Sequence, residues 1–172
     1  MKTLALTPVN IVIRLAKALL TLAVGVYGII VVFGNLTDYQ TNYKFIRHVM
    51  TMDTTYPDNT MMYRAIHDSR LHHLTYRIII FFEVLIAIFC TKGGIDMLRN
   101  LEADAETFHE SKRSGILGML LGLILWFFSF QAVAGEWFGM WMSKEWNGLP
   151  DAARLTQYIS TILVFVALKN DG

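Results

Sequence analysis

The 172-residue chain has few of the residues that build disulfide frameworks, zinc sites or strongly charged surfaces. It contains one cysteine, Cys90, and only 17% of its residues are charged, against about 25% in soluble domains. A single cysteine excludes a disulfide framework and a cysteine-based zinc site. The net charge of +1 comes without a block of basic residues, so no nucleic-acid partner is expected.

Long apolar runs take the place of those residues, because 54% of the chain is hydrophobic. A transmembrane helix needs about 20 mainly apolar residues, and four stretches meet this requirement, at about 11–33, 74–95, 116–137 and 152–168. Backbone groups in hydrocarbon must be hydrogen-bonded within their own segment, so each stretch should be helical. The sequence predicts an all-α fold in which residues 1–172 form a single integral membrane domain, a four-helix transmembrane bundle.

The distribution of charge predicts the orientation of this bundle. Four spans place both termini on one side of the membrane. Lys2, Arg14 and Lys17 lie at the start of the first span and Asp38 follows it, which favours both termini in the cytoplasm of a bacterial inner membrane. We expect Arg14 and Lys17 to reach the lipid headgroups with their charged tips. The run 99–113 is expected to be a helical extension of the second span with a solvated face.

The first loop on the opposite, outer side, residues 35–73, has the pattern of amphipathic surface helices. Phe45, Ile46, Val49 and Met50 recur at helical spacing, and Pro57 interrupts the pattern. Beyond it, Asp58 or Asn59 is placed to cap a second short helix, whose apolar stripe would be Met61, Met62, Ala65 and Ile66. We expect these helices to lie on the outer surface or to cap the bundle.

The second outer loop is unusually aromatic. Residues 135–148, GEWFGMWMSKEWNG, contain three of the four tryptophans. Tryptophan concentrates where membrane meets water, so we predict that residues 135–151 fold onto loop 35–73 as an outer lid and partner interface; a ligand cage is the alternative. The predicted interface residues are Glu136, Trp137, Trp141, Trp146 and Asn147.

Several motifs resemble a bacterial family of predicted small integral membrane proteins, a domain of unknown function. The matching stretches are Asn35-Leu36-Thr37-Asp38-Tyr39, His48-Val49, Met52-Asp53-Thr54-Thr55, Gly135-Glu136-Trp137-Phe138, Met140-Trp141 and Trp146-Asn147-Gly148. The resemblance covers nearly the whole chain. It implies a four-span inner-membrane protein and no particular activity.

One polar residue falls at a similar depth in each predicted span. These residues are Glu83, Gln131, Tyr27 and Gln157. The four side chains are predicted to meet in the bundle as an internal hydrogen-bond cluster, with Glu83 neutral or paired with Arg77 or Arg154. The alternative is a proton- or ligand-binding pocket, because an intramembrane carboxylate is costly and suggests function.

The outer loops also contain thioether and imidazole groups, which suit copper. The candidate metal ligands are His48, Met52, Asp53 and Met140. Their spacing is not diagnostic, and no resident cofactor is expected. Haem is not expected either, because no histidine lies within a predicted span.

These features lead to two hypotheses of function. The sequence lacks a Ser/His/Asp arrangement, a glycine-rich phosphate loop and an HExxH motif, so we do not expect an enzyme. The first hypothesis is a non-catalytic accessory or assembly subunit of a larger, respiratory membrane complex, with the bilayer and other integral subunits or a second copy as partners. The alternative is a carrier or sensor of a small ligand, protons or copper that uses Glu83 and the outer His and Met residues.

Overall fold

The computed structural model describes residues 7–172 and is all-helical over that range. Lys2, used above to predict orientation, lies outside the described residues. The main helices are α1 (Pro8–Thr37), α2 (Tyr39–Thr51), α3 (Ser69–Arg99), α4 (Ala105–Ser111), α5 (Arg113–Leu123), which continues as a π-helical segment (Ile124–Trp137), and α6 (Leu149–Ala167). Short 3-10 turns occur at Met62–Arg64 and Met140–Met142. The predicted all-α class is confirmed.

Three helices are long and apolar enough to cross a membrane. They are Pro8–Thr37, Ser69–Arg99 and the nearly continuous run Ala105–Trp137. Each contains a predicted span and extends beyond it, because helices continue past the hydrocarbon into the interface. The fourth predicted span, 152–168, corresponds to the 19-residue α6, which is less apolar. That α6 also crosses the membrane remains a prediction.

The long helices form one bundle around α3. Helix α3 packs against α1 on one side and α5 on the other, while α6 packs against α5 and the π-helical segment and touches α1. The helices approach closely where glycines meet. Gly93 faces Gly115, and a Cβ on Gly118 would lie 2.8 Å from the backbone nitrogen of Cys90. Such small residues allow tight packing without a hydrophobic driving force.

The predicted amphipathic helix of the first loop is α2. Its apolar side chains Tyr43, Ile46, Val49 and Met50 are buried against α3 and the second loop. The second predicted helix is reduced to the 3-10 turn Met62–Arg64. A longer helix does not form because the Ile66 amide donates to the Met50 carbonyl, at 2.8 Å, instead of to a carbonyl of its own turn. The stripe still packs as predicted at Met61, Ala65 and Ile66, whereas Met62 is exposed.

The connector 99–113 differs from the prediction of an extended second span. Helix α3 ends at Arg99, and the Asp104 carboxylate caps a separate helix, α4, by accepting from the amides of Glu106 and Thr107 at 3.1 and 3.0 Å. Phe108 and Lys112 are fully buried, so this segment also has an internal face.

The bundle has two chemically distinct ends. The basic end consists of Arg14, Lys17, Phe108, Lys112 and the segment 168–172, which folds back beside the start of α1. The aromatic end consists of α2 and residues 136–148. Helix α1 begins at the basic end and finishes at the aromatic end. Helix α6 runs in the opposite direction, so the segment that follows it lies at the basic end.

Candidate functional site

Glu83 lies inside the bundle, as its depth predicted, but its partner differs from both predicted arginines. Its side chain is buried on α3, and the Asn35 amide donates to its Oε2 at 2.6 Å. Arg77 is exposed, and Arg154 pairs with Asp151 at 2.8 Å instead. The Tyr76 hydroxyl donates to the Asn35 carbonyl at 3.3 Å. The last turns of α1 therefore supply the polar neighbour of Glu83.

The other three residues of the predicted polar cluster do not join Glu83 in one hydrogen-bonded group. Gln131 donates to the Thr156 hydroxyl at 2.8 Å, which forms a second, separate polar pair. Tyr27 and Gln157 are exposed on the side of the bundle. Counting along each helix gave the depth of these residues but not their rotation about the axis. For Gln131 the π-helical segment, with bonds such as Phe138 N–H to Val133 O, changes that rotation further.

Loops 35–73 and 135–151 pack together, as predicted. Phe138 and Met140 enter the same apolar core as Tyr43 and Met52. The Thr54 and Ser143 hydroxyls, one from each loop, are 2.8 Å apart. The His48 ring stacks on Trp146 with 4.5 Å between ring centroids, and Trp146 also meets Phe45 edge-on. In the structure, the part of the predicted lid that makes these contacts is residues 136–148, and the name lid is used for these residues from here on.

Two tryptophans of the lid point outward from fixed positions. Trp137 and Trp141 are 52% and 46% exposed. The Arg64 guanidinium lies 4.7 Å above the Trp137 ring and donates to the Trp137 carbonyl at 3.3 Å, and Tyr56 packs edge-on against Trp141. Such contacts restrict the movement of both rings.

The remaining predicted interface residues have different surroundings. Glu136 is exposed beside Trp137, while Trp146 is half-buried by its contacts with α2. The Asn147 side-chain oxygen accepts from the Leu149 amide at 3.1 Å, so Asn147 helps to start α6.

The candidate metal ligands separate into two environments. His48 Nδ1 lies 2.9 Å from both carboxylate oxygens of Asp53 near the surface, whereas Met52 and Met140 are each 1% exposed within the apolar core. Within residues 7–172, no group of three or more His, Cys, Asp or Glu side chains is arranged to hold a metal. Copper binding stays a prediction.

A cavity of about 330 Å³ lies between α2, α3 and the π-helical segment. Its wall is apolar, with Phe45, Met50, Phe82 and Phe130 among its residues and only two hydroxyls, from Thr75 and Ser129. This volume is at the lower end of the range for small-molecule sites, which is about 300–1,000 Å³. The cavity could accept a small apolar group.

The basic end contains a buried ionic cluster that sequence reasoning missed. Arg14, Lys17 and Lys112 are at most 1% exposed, and so is Asp171. Lys17 Nζ lies 2.8 Å from Asp171 Oδ1, Lys112 binds Asp171 Oδ2, and Arg14 Nε donates to the Asp171 carbonyl at 2.7 Å. The expectation that Arg14 and Lys17 reach the headgroups is wrong, because the segment 168–172 folds over them.

Charge and backbone groups together hold this cluster. Burial by itself would raise the pKa of the Asp171 carboxyl, but the hydrogen bonds from Lys112 and Lys17 outweigh it and hold that pKa below its ordinary value of 3.8. Both lysines also donate to the Leu168 carbonyl, at 2.7 and 2.9 Å. The only local indication of this cluster in the sequence is that Arg14 and Lys17 are three residues apart and so share a helix face.

The architecture agrees with what comparison with known proteins shows. Neither the curated proteins nor the solved structures include a match to this chain. Residues 13–169 match a family described as predicted small integral membrane protein (DUF2165). Because that match covers well over half of the chain, the chain belongs to this family of small integral membrane proteins.

Proposed function

We propose that this protein is a non-catalytic accessory or assembly subunit of a larger complex in the bacterial inner membrane, with both termini in the cytoplasm and a respiratory complex as one candidate. The observation that carries the proposal is the lid with its two exposed, fixed tryptophans. Interfaces are enriched in aromatic residues and arginine, and Trp137, Trp141 and Arg64 combine these on one surface. Rings that are already restricted lose little further freedom on binding.

The intramembrane polar groups support a non-catalytic role. The Asn35 amide donates a hydrogen bond to one oxygen of Glu83, and the Gln131 amide donates to the Thr156 hydroxyl. Each pair joins two helices of the bundle, α1 with α3 and the π-helical segment with α6. Such pairs fix helix register, which is the structural alternative that the sequence left open for Glu83.

The partner we propose is another integral membrane protein, which covers Trp141 at the level of the membrane interface. The test is to purify the tagged chain from its native membranes in mild detergent and to identify stoichiometric co-purifying chains by mass spectrometry. Trp141→Ala should reduce the recovered partner about tenfold, because interface tryptophans are frequent hot spots. Phe128→Ala is the matched control, since Phe128 is 58% exposed but lies on the side of the bundle.

Two results would count against this proposal. The wild-type chain could purify without a stoichiometric partner, or Trp141→Ala could retain the partner fully at normal membrane levels. An equal loss of partner in Phe128→Ala and Trp141→Ala would mean that the loss is not specific to the lid.

The second candidate function is a carrier or sensor of a small ligand, protons or copper. The cavity favours the small-ligand version, because its apolar wall adjoins the lid. Glu83→Gln keeps the size and hydrogen-bonding capacity of the side chain, so an accessory subunit should still assemble. A carrier that works through the carboxylate should lose ligand or proton coupling in the same variant. Metal analysis of the purified chain, together with copper-dependent growth of a deletion strain, tests the copper version.

A further inference from the structure

The buried cluster at the basic end has more positive than negative charge. Three cationic side chains, from Arg14, Lys17 and Lys112, surround the single carboxylate of Asp171. The other partners are the His109 ring, whose Nδ1 lies 3.3 Å from Lys112 Nζ, and neutral backbone carbonyls, including that of Leu101 at 2.8 Å from Arg14 Nη1. Burying unbalanced charge is costly. An arrangement of this kind is suited to an anion that carries more charge than one carboxylate.

One donor of the cluster has no acceptor. Arg14 Nη2 is buried and has no hydrogen-bond partner among the described residues. The Arg14 guanidinium also stacks over the Phe108 ring at 4.7 Å, and the Lys112 ammonium lies 5.6 Å from the centre of the same ring. The ring restricts both cations, so the free donor of Arg14 is already positioned.

The cover over the cluster is a single short segment. Lys17 and Lys112 both bind the Leu168 carbonyl and the Asp171 carboxylate, and Arg14 Nε binds the Asp171 carbonyl. If residues 168–172 moved away, Arg14 would keep its bonds to the loop carbonyls of Leu101 and Ala103. The site would open with its arginine still held in place.

We propose that the basic cluster is a binding site for a phosphate group, and that the Asp171 carboxylate occupies this site in the structure. A phosphate monoester carries a charge of about −1.5 to −2 and three acceptor oxygens, which match Arg14 Nη2 and the two ammonium groups. Arginine and lysine are the usual phosphate ligands. Bound phosphate would displace the segment 168–172 and balance the charge more completely.

The phosphate could belong to a lipid headgroup or be free in solution. The cluster lies where α1 begins, at one end of the spanning helices, and basic pockets between transmembrane helices bind lipid headgroups. The experiment therefore uses the full chain in vesicles of phosphatidylcholine alone, with added phosphatidic acid, or with inorganic phosphate in the buffer. Phosphatidylglycerol, a diester, controls for general negative surface charge.

The first measurement is the mobility of a spin label on Asn170→Cys, since the native Cys90 is fully buried. Label mobility should rise with phosphatidic acid if the source is lipid, or with inorganic phosphate if it is free. The rise should disappear when Arg14→Gln is added to the labelled chain. It should persist with Arg113→Gln, because Arg113 is the exposed neighbour of Lys112.

The second measurement is the affinity for the effective phosphate source, with Asp171→Asn compared with the wild type. Removal of the competing carboxylate should tighten binding at least about tenfold. If Asp171→Asn does not accumulate in membranes, the label experiment alone decides. The proposal is overturned if neither phosphate source changes label mobility, if phosphatidylglycerol acts as strongly as phosphatidic acid, or if Asp171→Asn binds no more tightly than the wild type.

Discussion

The basic end and the aromatic end are stabilised by different physical forces. At the basic end a few charged groups are fully buried, and each depends on the others. At the aromatic end many rings share the stabilisation, among them Tyr43, which stacks on His73 with 4.0 Å between centroids, and Trp146, which stacks on His48. The basic end should therefore respond sharply to loss of one group, whereas the aromatic end should lose stability gradually.

The largest effect is expected from Asp171→Ala in phosphate-free buffer. Removal of one partner from a buried ionic group costs about 3–5 kcal/mol, because uncompensated charge stays buried. The measurement is thermal unfolding of the detergent-solubilised chain, followed by circular dichroism.

The matched control for that prediction is Asp151→Ala. Asp151 also pairs with an arginine, but it is 71% exposed and Arg154 is 60% exposed, so the loss should be below about 1 kcal/mol. Equal losses of unfolding free energy in the two variants would mean that burial does not distinguish the basic end from an ordinary surface ion pair.

The sequence predicted contacts that topology dictates and missed contacts that depend on distant chain segments. The lid was predictable because loops 35–73 and 135–151 leave the bundle on the same side. Asp171 was not, because it lies 154 residues from Lys17 and no local pattern joins them. Glu83 shows both cases, since its depth followed from counting along α3 but its partner comes from the end of α1.

The π-helical segment helps to explain why Gln131 pairs with Thr156 and does not meet Glu83 as predicted. An α-helical register was assumed for the third span, whereas bonds from residue i to residue i+5 rotate every later side chain differently. Ser129 shows the same spacing, because its hydroxyl donates to the Ile124 carbonyl at 3.2 Å. No glycine or proline lies between Ile124 and Ala134 to mark the change, so the sequence carried no warning.

A smaller effect is expected at the aromatic end from Trp146→Ala. The change removes the stack on His48 and the edge contact with Phe45, 6.3 Å between centroids. Aromatic pairs contribute about 0.5–1.5 kcal/mol each, so the loss should be about 1–2 kcal/mol in the same unfolding measurement. Trp141→Ala, which removes one aromatic pair, with Tyr56, should cost less. A loss as large as that of Asp171→Ala would show that the aromatic end also depends on single groups.

The last prediction concerns acid, which should weaken the basic end by protonating Asp171. The pKa of Asp171 is held below 3.8 in the folded protein, so its ionised form stabilises folding above that value and the contribution is lost as pH falls through the lower, folded pKa. Between pH 7 and about pH 4 the stability difference between wild type and Asp171→Asn should stay constant, and below that it should shrink. Comparing the two chains at each pH removes the titration of all other carboxyls. A difference that shrank near neutral pH would contradict the prediction, because the Asp171 carboxyl would then take up its proton well above its ordinary pKa of 3.8 instead of below it.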